Sequence, residues 1–176
     1  MFSGGGEAVL CMWRKEEIGK PQCIPRLGAP IVGVGGGVTV LQLANNSLVL
    51  MDRQEDRVRG VVGGLGKSET GWPAGVQVDG DMLLMNGCVG KVQVFSTRSG
   101  GVHSLDITGQ NYLTKERGAA PHNSEVERVA VSNSSRFMAT VDCQWSAAAR
   151  ITLKIWTYDP AIGNFSLNTQ VGMNWT

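Results

Sequence analysis

The sequence predicts an all-β chain made of short antiparallel sheets of four strands, one following another. Three observations predict it. Apolar residues alternate at a period of two in many short runs, and no 12-residue stretch free of Gly and Pro carries an i, i+3, i+4, i+7 stripe. Glycine supplies 24 of 176 residues, about twice the usual ~7% share, and falls between those runs where tight turns are needed. Three of the runs also end alike, on an aromatic followed by a polar residue: Ala8 to Arg14 (AVLCMWR), Lys91 to Ser96 (KVQVFS) and Ile151 to Thr157 (ITLKIWT). A strand recurring with a terminal Trp or Phe reads as the third strand of a WD-type propeller blade.

The elements follow in order. Met1-Phe2-Ser3 reads as the tail of a second strand and Ala8 to Trp13 as the third, with Gly4-Gly5-Gly6 turning between them. The charged stretch Arg14 to Lys20 is a surface loop, and Gln22 to Leu27 an outer strand. A second unit takes Pro30 to Val34, Val38 to Leu43 and Ser47 to Met51 as strands; Asn45-Asn46 makes the hairpin turn, because Asn tolerates positive φ. The polar run Asp52 to Arg57 leads to Val58–Val62. The third unit runs Gly75 to Val78, the turn Asp79-Gly80-Asp81, Met82 to Met85, Lys91 to Phe95 and Val102 to Ile107. After a polar insertion, Thr108 to Ser124, the fourth holds Val126 to Val131, the turn Ser132 to Ser135, Phe137 to Val141, Leu153 to Trp156 and Asn164 to Thr169.

These units divide the chain into 1–29, the end of a preceding blade with its outer strand, and 30–176, three degenerate WD-type blades of an incomplete propeller. The third strands end near Trp13, Met51, Phe95 and Trp156, at intervals of 38, 44 and 61 residues. The first two match a blade of ~40–45 residues. The last needs loops at Thr108–Ser124 and Gln144–Arg150. No Trp-Asp dipeptide and no Gly-His pair occurs, so the repeats are degenerate and a β-sandwich is the alternative fold. A propeller closes with ~4–8 blades. About three and a half are counted here, so the chain is expected to be part of a longer protein, with sheet faces that further blades would cover.

Composition excludes several function classes. The formal charge is +1 with both signs mixed throughout, so no basic stripe marks a nucleic-acid footprint. No run approaches 18 apolar residues, and the first residues lack the charged and apolar regions of a signal peptide. The four cysteines, at 11, 23, 88 and 143, form no CxxC pair, and neither His103 nor His122 lies near two of them, so a metal site is unsupported. Cys11 and Cys143 fall inside apolar strand patterns, where a free thiol behaves as a small hydrophobe. Reduced, packed cysteines and a reducing compartment are therefore expected.

Apparent chemical motifs fail on their own requirements. Val61 to Ser68 ends in Gly-Lys-Ser, but a phosphate loop needs glycine where Val61 stands and a helix after it, and Gly71 and Pro73 interrupt at once. A flexible loop between blades is expected instead. Gly33 to Gly37 is no dinucleotide fingerprint, because Val38 occupies the third glycine's place. His103, Ser104 and Asp106 sit on one strand with His103 facing away from the other two, so they cannot converge as a triad. The sequons at Asn45, Asn133, Asn164 and Asn174 suit a Ser/Asn-rich turn protein. Arg26, Lys91, Arg136 and Arg150 read as dispersed surface charge rather than an RNA footprint. No catalytic, cofactor or metal residue is expected. Trp13, Phe95 and Trp156 are expected to be structural anchors of the repeat.

Several motifs stand in one order: Pro25-Arg26-Leu27-Gly28-Ala29; Leu84-Met85-Asn86-Gly87, then Gly90 and Gln93-Val94-Phe95-Ser96; Met138-Ala139-Thr140-Val141; Leu153-Lys154-Ile155-Trp156-Thr157-Tyr158; and Phe165-Ser166-Leu167-Asn168-Thr169. In that order they closely resemble part of the WD repeat-containing protein 75 family, from late in its first propeller into its second. The resemblance covers nearly the whole chain but a minor part of that longer protein. It departs at Gly35-Gly36-Gly37, where a Ser-Pro type turn is expected, and at Gly109 to Ser124. It implies a non-catalytic subunit of the nucleolar small-subunit processome, working in pre-18S ribosomal RNA processing and supporting transcription by RNA polymerase I. The implied partners are other processome proteins and pre-ribosomal or small nucleolar RNA, with no membrane, cofactor or small-molecule substrate. A generic WD-repeat adaptor, such as a substrate receptor of a ubiquitin ligase, is the alternative.

Overall fold

A computed structural model describes residues 2–4, 6–15, 19–35, 40–52, 55–68, 73–109, 124–144 and 149–174. Several expectations fall on residues outside these: Met1 in the first strand, part of the charged loop (16–18), the Gly36-Gly37 turn with Val38, Gly71, most of the polar insertion (110–123) with His122, and the loop 145–148. The described residues form fifteen strands, all in antiparallel sheets, and two compact units, 1–65 and 66–176.

The first unit holds two sheets. One has three strands, β1 (Phe2–Gly4), β2 (Leu10–Met12) and β3 (Gln22–Ile24); the other has four, β4 (Ile31–Gly35), β5 (Val40–Leu43), β6 (Leu48–Asp52) and β7 (Arg57–Val62). Alternation places Leu10 and Met12 on one face of β2. There they pack against Leu41 and Leu43 of β5 and Val49 and Met51 of β6. The β5–β6 turn needs a residue at positive φ, and Asn46 takes it at 65° while its side-chain Oδ1 accepts a 2.6 Å hydrogen bond from Gln42 Nε2. Arg14, just beyond β2, forms an ion pair with Asp56 beside β7.

Here the structure corrects the expectation of reduced cysteines. In the β2–β3 register Cys11 lies directly opposite Cys23, with the two Cα atoms 4.2 Å apart, and the two form a disulfide. Directly opposed residues on adjacent antiparallel strands come this close at the narrow, non-hydrogen-bonded positions. Spacing along the chain could not show it, because the hairpin register decides which residues face. Cys88 and Cys143 carry free thiols, exposed and buried respectively.

The second unit holds two sheets of four strands. One is β8 (Gln77–Asp79), β9 (Met82–Asn86), β10 (Lys91–Ser96) and β11 (Val102–Asp106); the other is β12 (Ser124–Val131), β13 (Phe137–Gln144), β14 (Arg150–Asp159) and β15 (Asn164–Asn174). Each strand pairs with its neighbour in sequence, as expected of short hairpin turns. At the β8–β9 turn Gly80 adopts φ 57°, which only a residue without Cβ takes at no cost. The core between the sheets joins Leu84, Val92, Val94 and Leu105 of the first to Val126, Val129, Met138 and Trp156 of the second. The last three strands run longer than their own patterns suggest, because β13, β14 and β15 remain in register out to Gln144, Arg150 and Asn174. A bulge at Ile155/Trp156 shifts that register by one residue, so Trp156 opposes Leu167.

Candidate interaction site

The three expected anchors occupy different environments. Trp156 is buried in the core of the second unit, and its Nε1 donates a 2.9 Å hydrogen bond to Thr140 Oγ1 on β13. Phe95 is buried on the opposite face of β10 from Val94, beside its cross-strand partner Leu83. Trp13 lies one residue past β2, half-buried outside the core cluster of its unit, with Nε1 donating to Ser3 Oγ at 2.8 Å. Trp13 belongs to the first unit, and Phe95 and Trp156 to the two sheets of the second.

Alternation on β13 and β14 turns Thr140, Asp142, Thr152 and Lys154 to the same buried side as Trp156. Buried polar groups persist when paired, as Thr140 is with Trp156 and Asp142 with Lys154. Lys154 Nζ lies 2.9 Å from Asp142 Oδ1 and donates at 2.8 Å to the Ile107 carbonyl just beyond β11. That bond ties one sheet to the other. Asn86, at the end of β9, makes a second tie: its Nδ2 donates to the Val126 carbonyl at 3.2 Å and its Oδ1 accepts from the Ala74 amide at 2.9 Å. Gln93 on β10 takes the Gly66 amide on Oε1 at 3.0 Å and donates Nε2 to the Gly66 carbonyl at 2.8 Å.

The Gly-Lys-Ser segment is therefore held rather than flexible. The Ser68 hydroxyl is buried against Glu125, to which it donates. A Cβ on Gly66 would stand 2.9 Å from Cys88 Sγ and 3.3 Å from the Cys88 amide, so the glycine serves close packing and not a phosphate. His103, Ser104 and Asp106 all lie on β11, where alternation turns His103 to the face opposite the other two. Among the described residues no cluster of three or more His, Cys, Asp or Glu could hold a metal ion. Arg26, Lys91, Arg136 and Arg150 sit on four separate elements.

Burial pushes the Cys143 thiol above its ordinary range, and the charges of Glu127 and Asp142 push it the same way. A reactive cysteine needs the opposite shift.

A cleft of about 430 Å³ lies between the two sheets of the second unit. Leu84, Val94 and Leu105 line one wall, and Tyr158 and Phe165, in edge-to-face contact at 5.4 Å, line the other. Arg136 and His103 lie exposed at its mouth. Sequence reasoning read Arg136 only as surface charge and missed the buried partners Thr140, Asp142 and Lys154. Their signal was a polar residue at every second position of two otherwise apolar strands.

Consecutive antiparallel sheets of three or four strands, each strand paired with its neighbours in sequence, define a WD-repeat β-propeller protein. The WD40 domain of Toxoplasma gondii coronin shares this fold, superposing with a TM-score of 0.61 at 11% identity over 96% of this chain and 41% of that chain. The family model for the second beta-propeller of WD repeat-containing protein 75 matches residues 76–176. The chain belongs to the WD repeat-containing protein 75 family. It is 29% identical to WD repeat-containing protein 75 of Mus musculus over 98% of this chain, and 28% identical to that of Xenopus laevis over 97%. The chain spans 21% of the length of each of these relatives.

Proposed function

We propose that the protein is a non-catalytic scaffold segment of the nucleolar small-subunit processome. It acts in pre-18S ribosomal RNA processing and in support of RNA polymerase I transcription. Family membership over residues 76–176 is the observation that carries this reading. The buried framework supports it. Three buried pairs, Lys154–Asp142, Trp156–Thr140 and Asn86–Val126, join side chains to one another and to backbone within the second unit, a frame suited to presenting surfaces. The partners are other processome proteins, and pre-ribosomal or small nucleolar RNA within the assembly. Trp13, Phe95 and Trp156 serve as anchors of the repeats.

The test is to tag the full-length protein in its own cells, image it and identify what purifies with it. Concentration in nucleoli together with processome subunits is expected. Recovery with ubiquitin-ligase subunits from outside the nucleolus would overturn the reading in favour of a generic adaptor.

A further inference from the structure

We propose that Cys11 and Cys23 form a reversible thiol–disulfide switch, which fastens the edge strand β3 when oxidised and frees it when reduced. This goes beyond the processome reading and does not depend on it. β3 is the outermost strand of its sheet and pairs with β2 alone, over three residues. Pro21 and Pro25 stand directly before and after it, and proline has no amide to lengthen the ladder. Cys11 and Cys23 take the narrow position, so Leu10 with Ile24 and Met12 with Gln22 exchange the backbone bonds. Of the three β3 side chains only Ile24 packs against the apolar cluster of the unit; Gln22 and Cys23 are exposed. The covalent link is thus the strongest single restraint on β3. Just beyond, the Leu27 amide donates to the Ala8 carbonyl at 3.0 Å, and Leu27 and Ala29 pack on the same cluster. The chain stays anchored there when β3 lets go.

Exchange begins where a thiolate can reach sulfur, and exposed disulfides are the labile ones. Cys23 is exposed and Cys11 half-buried, and no strand lies beyond β3, so Cys23 Sγ is the sulfur open to attack. A glutathione thiolate bonds to Cys23 Sγ as the Cys11–Cys23 bond breaks. The electron pair of that bond leaves on Cys11 Sγ, which takes a proton from water. A second glutathione thiolate then attacks the glutathione sulfur of the mixed disulfide. Glutathione disulfide departs, and Cys23 Sγ leaves as a thiolate that is protonated in turn. The cysteine pair has gained two electrons and two glutathiones have lost them; glutathione disulfide drives the reverse. Neither Cys88 nor Cys143 belongs to this unit.

Equilibrate the 176-residue chain carrying Cys88→Ser, which removes the exposed spare thiol, in glutathione buffers from fully oxidising to fully reducing. Acid quenching and alkylation count the linked pairs, and amide hydrogen exchange followed by NMR reads the strands. The pair is expected to open and re-form along one curve approached from either end. Protection of the Leu10, Met12, Gln22 and Ile24 amides should be about 10- to 100-fold lower in the reduced chain. Protection in β5 and β6 should not change. The double variant Cys11→Ser with Cys23→Ser should show the low β2–β3 protection in every buffer, which separates loss of the bond from any other action of glutathione. Three results would overturn the proposal: a pair that stays linked in the most reducing buffer or fails to re-form in glutathione disulfide; equal β2–β3 protection in both states; or protection lost throughout β5 and β6 on reduction, which would make the bond a staple of the whole unit.

Discussion

Trp156 Nε1 and Thr140 Oγ1 are joined by a 2.9 Å hydrogen bond inside the core of the second unit. The indole comes from the end of β14 and the hydroxyl from the middle of β13. The bond therefore fixes how the aromatic end of a third strand sits on its neighbour. A large ring gains stability from burial, and its one polar atom must find an acceptor when buried. Thr140→Val keeps the shape and removes the acceptor. It is expected to cost about 1–3 kcal/mol, against about 3–5 kcal/mol for Trp156→Ala. Urea unfolding measures both; a Thr140→Val chain as stable as the parent would show that the bond contributes nothing.

Lys154 and Asp142 form the one buried ion pair found among the described residues. Removing one partner strands the other, so Lys154→Met alone should destabilise by about 3–5 kcal/mol. The double change Lys154→Met with Asp142→Leu should recover most of that loss. A double variant no more stable than the single one would mean that the Ile107 carbonyl contact, and not the pair, holds the sheets.

The Cys11–Cys23 disulfide closes a loop with a sequence separation of 12. Loop-closure entropy for that length is about 3 kcal/mol. Peptide mapping without reductant should recover the two cysteines in one linked pair, since Arg14 and Lys15 allow tryptic cleavage between them. Adding dithiothreitol, or making Cys23→Ser, should lower the stability of the first unit and leave the second unit unchanged. Two freely alkylated thiols in the untreated chain would contradict the assignment.

The buried Cys143 thiol sets an alkaline limit. Its proton is held more tightly folded than unfolded. Stability is therefore full below the ordinary thiol range and falls as pH rises through it, where the unfolded chain has already lost the proton. Cys143→Ala should flatten that fall. Native alkylation should reach exposed Cys88 well before Cys143. Equal labelling rates would count against the burial that causes the shift.

Each of the fifteen strands overlaps a run readable in the sequence, because period-two alternation and Gly, Asn and Ser turns are local signals. Asn45-Asn46 is an example: positive φ was expected there and Asn46 adopts it. What lay beyond local signals was register. Whether Cys11 meets Cys23 depends on how β2 and β3 slide past each other, and one residue of slip would turn the side chains apart. Likewise, Ile151, Leu153 and Ile155 mark one face of β14 as apolar, yet the side holding Thr152, Lys154 and Trp156 is the more buried. Lys154 and the Trp156 indole go inside because partners on β13 and beyond β11 await them, and that is a tertiary fact. Arg136 was visible only as a charge; the cleft beside it requires two sheets to be in place.

The proposed processome role is open to a depletion experiment. The protein is removed from its own cells and ribosomal RNA is pulse-labelled. Slowed maturation of pre-18S RNA, rescued by the intact protein, is the predicted result. Normal pre-18S processing after complete depletion would rule that role out.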